Sequence, residues 1–300
     1  MSTRAVSLTS TASDLLSLTK PRLSSLVLFT MAGGMWLAPT SLSPARAVAA
    51  LLATAGIIAA ANALNCYLER DVDRYMKRTR NRPLPSGRMD PPVALWFGIS
   101  LAAISIPALV LATNVLTALL GVAALALYVL AYTPLKARSW TAMLVGAVPG
   151  ALPTLMGWTA ATGSIALPGL VLFAVLFLWQ IPHFLAIALF CKEEYAAAHL
   201  KSLPLQRGDA VSRAHIVAYC AVLGPVAFSL YPLKAAGPIY AASAIVLGAA
   251  FLAFALYGFW RRLGPSWARQ LFYVSLLYMA GLFTALWVDG GARASGWMLP

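Results

Sequence analysis

Apolar runs of about twenty residues, the length of helix that crosses a hydrocarbon core, recur along the whole chain. Breaking them at proline, glycine and charge predicts nine spans. Their limits are Leu23 to Pro39, Ala45 to Tyr67, Val93 to Ala112, Val115 to Pro134, Thr141 to Ala160, Leu167 to Phe190, His215 to Leu233, Ile239 to Trp260 and Leu271 to Asp289. The break at Thr113-Asn114 makes a tight hairpin of the third and fourth. No stretch shows the alternation of a membrane β-barrel, so the expected class is all-α, a polytopic membrane protein. The 300 residues read as a single integral-membrane domain, with residues 1–20 as an amino-terminal tail. That tail lacks a basic segment running directly into an apolar one, so no cleaved leader is expected.

Composition agrees. With 61% hydrophobic and 10% charged residues and a mean hydropathy of +0.79, the chain lies far outside the soluble range. A net charge of +13 would suggest nucleic acid in a soluble protein. Here the basic residues sit in short loops beside apolar spans without aromatic interleaving, so nucleic acid is not an expected partner and the lipid bilayer is. With the amino terminus inside, nineteen of the twenty-two Lys and Arg are cytoplasmic, and only Arg46, Lys234 and Arg293 fall outside. Nine spans then leave the carboxyl terminus outside. The three cysteines form no CxxC pair and have no His at metal spacing, so neither a disulfide framework nor a zinc site is indicated.

Of nine acids, Glu69, Asp71, Asp73 and Asp90 follow span two and Glu193, Glu194 and Asp209 follow span six. Both loops are cytoplasmic in this reading, and each is flanked by bases. In the first loop Asn65, Glu69 and Asp73 stand at i, i+4 and i+8, which on a helix aligns three oxygen-bearing side chains over roughly two turns. Three such ligands can carry Mg²⁺, which in turn holds a substrate's phosphates. Arg70, Arg74 and Arg78 repeat the same spacing, with Lys77, Arg80, Arg82 and Arg88 beyond, and guanidinium groups suit phosphate oxygens directly. The plainer alternative is a helix end leaving the membrane with i,i+4 ion pairs in water. A cluster of acids beside a bilayer is costly enough to favour function.

Three further features point to the same side. Glu193 and Glu194 are adjacent and point about 100° apart if helical, so at most one faces the first stripe, and both could be solvated loop charges. Tyr128, Tyr132 and Lys136 stand at i, i+4 and i+8 where a span reaches the cytoplasm, either as phosphate donors or as an interfacial Tyr with a snorkelling Lys. His183, in LWQIPHF with Gln180 a turn above, is an uncommon buried span histidine. It could ligate haem, act as a base or make a structural hydrogen bond.

These residues resemble the intramembrane UbiA-type prenyltransferases, and within them the branch that farnesylates haem. Asn65, Glu69 and Asp73 match the family's Asn-x3-Asp-x3-Asp motif, with Glu in the middle. DVDRYMKRTRNRPLPSGR after it, YTPLK at Tyr132 to Lys136, VGAVPGALPTLMGWTAATG at Val145 to Gly163 and WQIPHFLAIALFCKEEY at Trp179 to Tyr195 are similar too. The matches spread over about Asn62 to Gly208. The usual aspartates before Tyr195 are Glu193 and Glu194 here. Beyond it, AHLKSLP replaces Ala-Gly-x-Pro-Met-Leu-Pro, with His199 in the Gly position and Ser202 in the Met position.

The resemblance implies nine helices around a central cavity, in the cytoplasmic (inner) membrane. It implies transfer of farnesyl from farnesyl diphosphate to a vinyl group of haem b with addition of water, giving haem O. The product would pass to a downstream haem A synthase or to terminal oxidase assembly. Asn65, Glu69 and Asp73, with Glu193 or Glu194 opposite (Glu194 the metal candidate), would hold Mg²⁺ on the diphosphate. Arg70, Arg74, Lys77, Arg78, Arg82, Tyr132, Lys136 and Lys192 would neutralise it, and His183 would contact haem or orient the water. A related prenyltransferase acting on an aromatic or quinone-precursor acceptor is one rival. A transporter of an anionic lipid or haem is the other, against which stand the lack of an internal repeat and the clustering of acids on one face.

Overall fold

The computed structural model describes residues 8–294, with side chains for 12–21 and 24–290. Arg4, Arg22 and Arg293 of the charge tally therefore lie outside the described side chains. Among the described residues all regular structure is helical. Eight helices are long and apolar enough to cross a membrane, and a shorter apolar stretch, Ser24–Leu37, stands where the first span is expected.

The chain begins with α1 (Leu8–Leu18), which the apolar pattern did not anticipate. Leu15 and Leu18 pack it onto Ala63 and Cys66 at the end of α3 and onto Leu84 and Met89 of the following loop. α2 (Pro21–Leu37) and α3 (Pro44–Glu69) follow, each begun by proline, whose missing N–H costs nothing at a helix start. α4 (Pro91–Ala112) ends at the expected break, where Asn114 accepts the Thr117 N–H at 2.9 Å and caps α5 (Val115–Ala126). α5 continues through a π-helical turn, Leu127–Tyr132, into α6 (Thr133–Leu135). α7 (Ala142–Thr162) and α8 (Leu167–Phe190) precede two short helices, α9 (Lys192–Ala197) and α10 (Leu203–Arg207). α11 (Asp209–Phe228) starts six residues before the expected span and ends before Leu233, since Tyr231 to Ala236 form a turn. α12 (Pro238–Trp260) and α13 (Pro265–Ala294) complete the chain.

α7 is the hub. It packs on α2, α5 and α8 and is the most buried of the spanning helices, whereas the one that α5 begins is the least. The contact with α2 is backbone to backbone, because a Cβ on Gly34 would strike the Thr154 carbonyl and one on Gly157 the Met31 carbonyl. Small residues let helices approach this closely where lipid offers no hydrophobic drive to pack them. α8 in turn meets α11 and α13, and α13 returns to α2. The carboxyl ends of α3 and α8 and the amino ends of α2 and α7 thereby come to one end of the bundle.

Candidate active site

At that end lies a cavity of about 350 Å³ whose wall includes Lys20, Asn65, Glu69, Asp73, Arg82 and Lys136. α3 stops at Glu69, and Asp73 arrives on a separate 3-10 turn, Val72–Tyr75. Asn65, Glu69 and Asp73 thus share one cavity, but not the single helical stripe that their spacing suggested. Asn65 and Asp73 are each 1% exposed.

Each of the three is held by a base. Lys20 Nζ donates to Asn65 Oδ1 at 2.9 Å, Lys136 Nζ to Glu69 Oε1 at 2.7 Å and Arg82 Nη1 to Asp73 Oδ2 at 2.7 Å. Thr133 Oγ1 accepts from Asn65 Nδ2 at 3.2 Å and donates to the Tyr128 carbonyl at 2.8 Å, which locks Asn65 to the π turn. π turns free carbonyls for such use and recur at functional sites. Thr79 Oγ1 donates to the Asp73 carbonyl at 2.8 Å and pins the 3-10 turn. Lys136 also stands 4.5 Å from the centre of the Tyr132 ring. Burial works against its charge, but Tyr132 and Glu69 outweigh that and hold its pKa well above the ordinary lysine value. Burial of Lys20 lowers its pKa, with Arg82 and Lys136 acting in the same direction against the raising effects of Cys66 and Glu69.

Other sequence candidates are distributed unevenly. Arg78 and Tyr132 line the cavity. Arg70 turns back to the Tyr67 carbonyl at 2.7 Å, Arg74 lies 4.0 Å from exposed Asp71, and Lys77 is exposed. None of those three is on the cavity wall. On α9, Glu193 is exposed and Glu194 half-buried, and Lys192 pairs with Asp209 at 2.7 Å, so this segment contributes Tyr195 rather than its charges. The Lys201 N–H bonds the Lys136 carbonyl at 2.9 Å and ties the second loop to the first. His199 has φ 55°, the left-handed conformation favoured by glycine, so the loop keeps that backbone with a bulkier residue. Ser202 is 9% exposed, lines the cavity and has no partner for its hydroxyl among the described residues.

Sequence reasoning missed Lys20 as a site residue, having counted it only toward topology. The signal was Pro21, which starts α2 and leaves Lys20 outside the helix, at φ 50°, facing Asn65.

The donor set fits Mg²⁺. Asn65, Glu69 and Asp73 offer hard oxygens, and Glu69 Oε2 and Asp73 Oδ1 are without a protein partner among the described residues. No three His, Cys, Asp or Glu groups there could hold a metal by themselves. Mg²⁺ commonly takes one or two carboxylates and completes its shell with water and substrate phosphate.

A second cavity, about 250 Å³ and mostly apolar, adjoins the first, and Tyr128, Tyr132 and Phe184 line both. His183 and Gln180 are on its wall. Ser275 Oγ donates to the Phe272 carbonyl at 2.6 Å, so its one proton is used, and His183 Nδ1, 2.7 Å away, must be the donor to it. The neutral ring therefore keeps Nε2 bare, a tautomer assigned from the hydrogen bonds. Trp179 stacks on the imidazole at 4.8 Å and Phe272 lies at 4.7 Å.

Comparison with known proteins gives the same picture. The UbiA prenyltransferase family matches residues 26–277. A protein of Myxococcus xanthus (strain DK1622) named protoheme IX farnesyltransferase is 63% identical over 96% of this chain and 98% of its own length. Another of that name, from Anaeromyxobacter sp. (strain Fw109-5), is 52% identical over 94% of each chain. Among solved structures, a digeranylgeranylglyceryl phosphate synthase superposes with a TM-score of 0.79 at 16% identity, covering 93% of this chain and 98% of its own. A UbiA homolog from Archaeoglobus fulgidus bound to DMAPP and Mg²⁺ gives 0.64 at 18% identity, over 91% and 99%.

Proposed function

This chain belongs to the UbiA prenyltransferase family, and from that premise we propose that it transfers farnesyl from farnesyl diphosphate to a vinyl group of haem b. Water adds in the same reaction, giving haem O and diphosphate. The observation that carries the reading is the junction at Tyr128 and Tyr132 of a charged cavity with an apolar one. The acceptor follows from the relatives named protoheme IX farnesyltransferase.

Residues of this chain supply most of what the reaction needs. Lys20, Arg82 and Lys136, released in part from Asn65, Asp73 and Glu69, meet the diphosphate oxygens, with Arg78, Tyr132 and Ser202 at the wall. Asn65, Glu69 and Asp73 would hold Mg²⁺, which when bound neutralises the charge that develops on the departing diphosphate. The tail lies past Tyr128 in the apolar cavity, whose wall keeps water from the allylic cation until the acceptor reacts. His183, on the wall of that cavity with Nε2 bare, would ligate the iron of haem or orient the water. Arg70, Arg74, Lys77, Lys192, Glu193 and Glu194 stand away from the wall, and their roles require the loops to close further over bound substrate.

The test is haem analysis of membranes from a host lacking haem O, expressing this chain. Appearance of haem O is the expected result. Good membrane expression without haem O, together with diphosphate release on an aromatic acceptor, would assign the chain to another branch of the family. Uptake of an intact anionic lipid without diphosphate release would make it a transporter.

A further inference from the structure

A third cavity, about 410 Å³, lies at the opposite end of the bundle. α2 joins the two ends, from Lys20 beside Asn65 to Leu37 on the wall of this cavity, over 17 residues or about 25 Å. Nothing in the prenyl-transfer reading uses it.

Its wall carries an unmatched set of polar groups: Asp289, Trp158 and Lys234. Asp289 is 1% exposed. Its Oδ2 accepts the Tyr240 N–H in the first turn of α12 at 2.8 Å, but its Oδ1 has no partner among the described residues. Trp158 is 5% exposed and its indole N–H is likewise without one among those residues. Lys234, exposed in the turn before α12 at φ 57°, pairs with no acid among the described residues. Gly237 makes room for the carboxyl, since a Cβ there would meet Asp289 Cγ at 2.7 Å.

Capping α12 needs one acceptor oxygen, which an asparagine would supply. The acid adds a second oxygen and a charge, and leaving either buried without a partner costs free energy. What completes the set is a ligand with N–H donors and positive charge for Asp289, and acceptors with negative charge for Trp158 and Lys234. An exposed tryptophan, Trp36 at 42%, borders the opening, the amphipathic ring typical of the membrane–water boundary. A bilayer presents the required zwitterion at that depth.

We propose that this cavity binds the head group of a zwitterionic lipid, with its primary ammonium on Asp289 and its phosphate between Lys234 and the Trp158 indole. Phosphatidylethanolamine has this chemistry. The site is separate from prenyl transfer and stands or falls without it.

The experiment is native mass spectrometry of the full-length protein from mixed micelles containing equal phosphatidylethanolamine, phosphatidylglycerol and phosphatidylcholine. The parent is expected to retain one phosphatidylethanolamine in preference to the others. Asp289→Asn, which can still cap α12, and Lys234→Asn, at an exposed position tolerant of a left-handed backbone, should each lower that retention by about tenfold, the loss of one charge-assisted contact. If Asp289→Asn fails to fold, Lys234→Asn alone decides. Equal retention of the three lipids by the parent, or unchanged retention in the folded variants, overturns the proposal. So does phosphatidylcholine holding as well as phosphatidylethanolamine, since its quaternary ammonium has no N–H to donate.

Discussion

The polar and apolar cavities that meet at Tyr128 and Tyr132 treat their polar groups in opposite ways. In the polar cavity Asn65, Glu69 and Asp73 each have a base within 2.9 Å, and two of their carboxylate oxygens have no partner among the described residues. The pairs sit at the bundle end, where the cost of charge is smaller than at mid-membrane. Among the described residues the apolar cavity's wall carries no ion pair and one imidazole, fixed through Nδ1 by Ser275 and packed against Trp179 and Phe272. Charge is thus confined to where a diphosphate would leave, and the adjoining space is kept for groups that must stay dry. In the proposed function the first cavity breaks the carbon–oxygen bond and the second shelters what it releases.

The largest expected effect comes from emptying the polar cavity of an acid. Asp73→Ala should lower haem O formation by about 10²–10³-fold or more, the scale of a lost transition-state stabiliser, while leaving a folded, membrane-inserted protein. Normal turnover would remove the 3-10 turn from the chemistry. Next, Lys136→Met strands Glu69, and unfolding should become easier by about 2 kcal/mol once the partial exposure of the pair is allowed for. Its Michaelis constant for farnesyl diphosphate should rise as well, whereas an unchanged melting temperature would mean that Glu69 finds another partner.

On the apolar side, His183→Ala should weaken use of haem by about tenfold with little change in farnesyl diphosphate affinity, and Ser275→Ala should mimic it in part by freeing the tautomer. Parallel loss of both substrates would erase the division between cavities. A subtler test uses pH. Lys20 titrates below the ordinary lysine value and Lys136 above it, so alkaline loss of diphosphate affinity should follow Lys20 first. Below its pKa Lys20 is charged and binds, and as pH rises through that value the charge and affinity are lost. Lys20→Arg, always charged, should carry the loss to higher pH. The stability sign is the reverse. With the folded pKa lowered, the unfolded state binds more protons between the two values, so the cost of burying this ammonium is relieved as pH rises. The smallest effect is expected at the loop: His199→Gly should stabilise the protein by about 1 kcal/mol by relieving a left-handed side chain, read as a raised unfolding midpoint at unchanged activity.

The helices were legible because their apolar runs are long and proline or Asn114 marks most of their starts, α7 and α11 being the exceptions. Leu167–Phe190 matched its expected limits, since Pro168 begins it and charge follows it. Membership of one cavity by Asn65, Glu69 and Asp73 was legible from spacing, but the change to a 3-10 turn was not: no glycine or proline punctuates ERDVDRY. Charge near a motif proved a poor guide to which bases face inward. Arg82, nine residues from Asp73, reaches it, while the intervening Arg74 and Lys77 do not. Those contacts depend on the path of the loop, which tertiary packing through Thr79 and Leu84 determines. Lys20 is the same lesson across 45 residues of sequence.

The most direct test of the two-cavity account is equilibrium binding of labelled farnesyl diphosphate to the purified parent, Asp73→Ala and His183→Ala, with and without Mg²⁺ and without haem. The account predicts Mg²⁺-dependent binding by the parent and by His183→Ala, and its loss in Asp73→Ala. Equal binding by all three proteins, or loss in both variants, would contradict it.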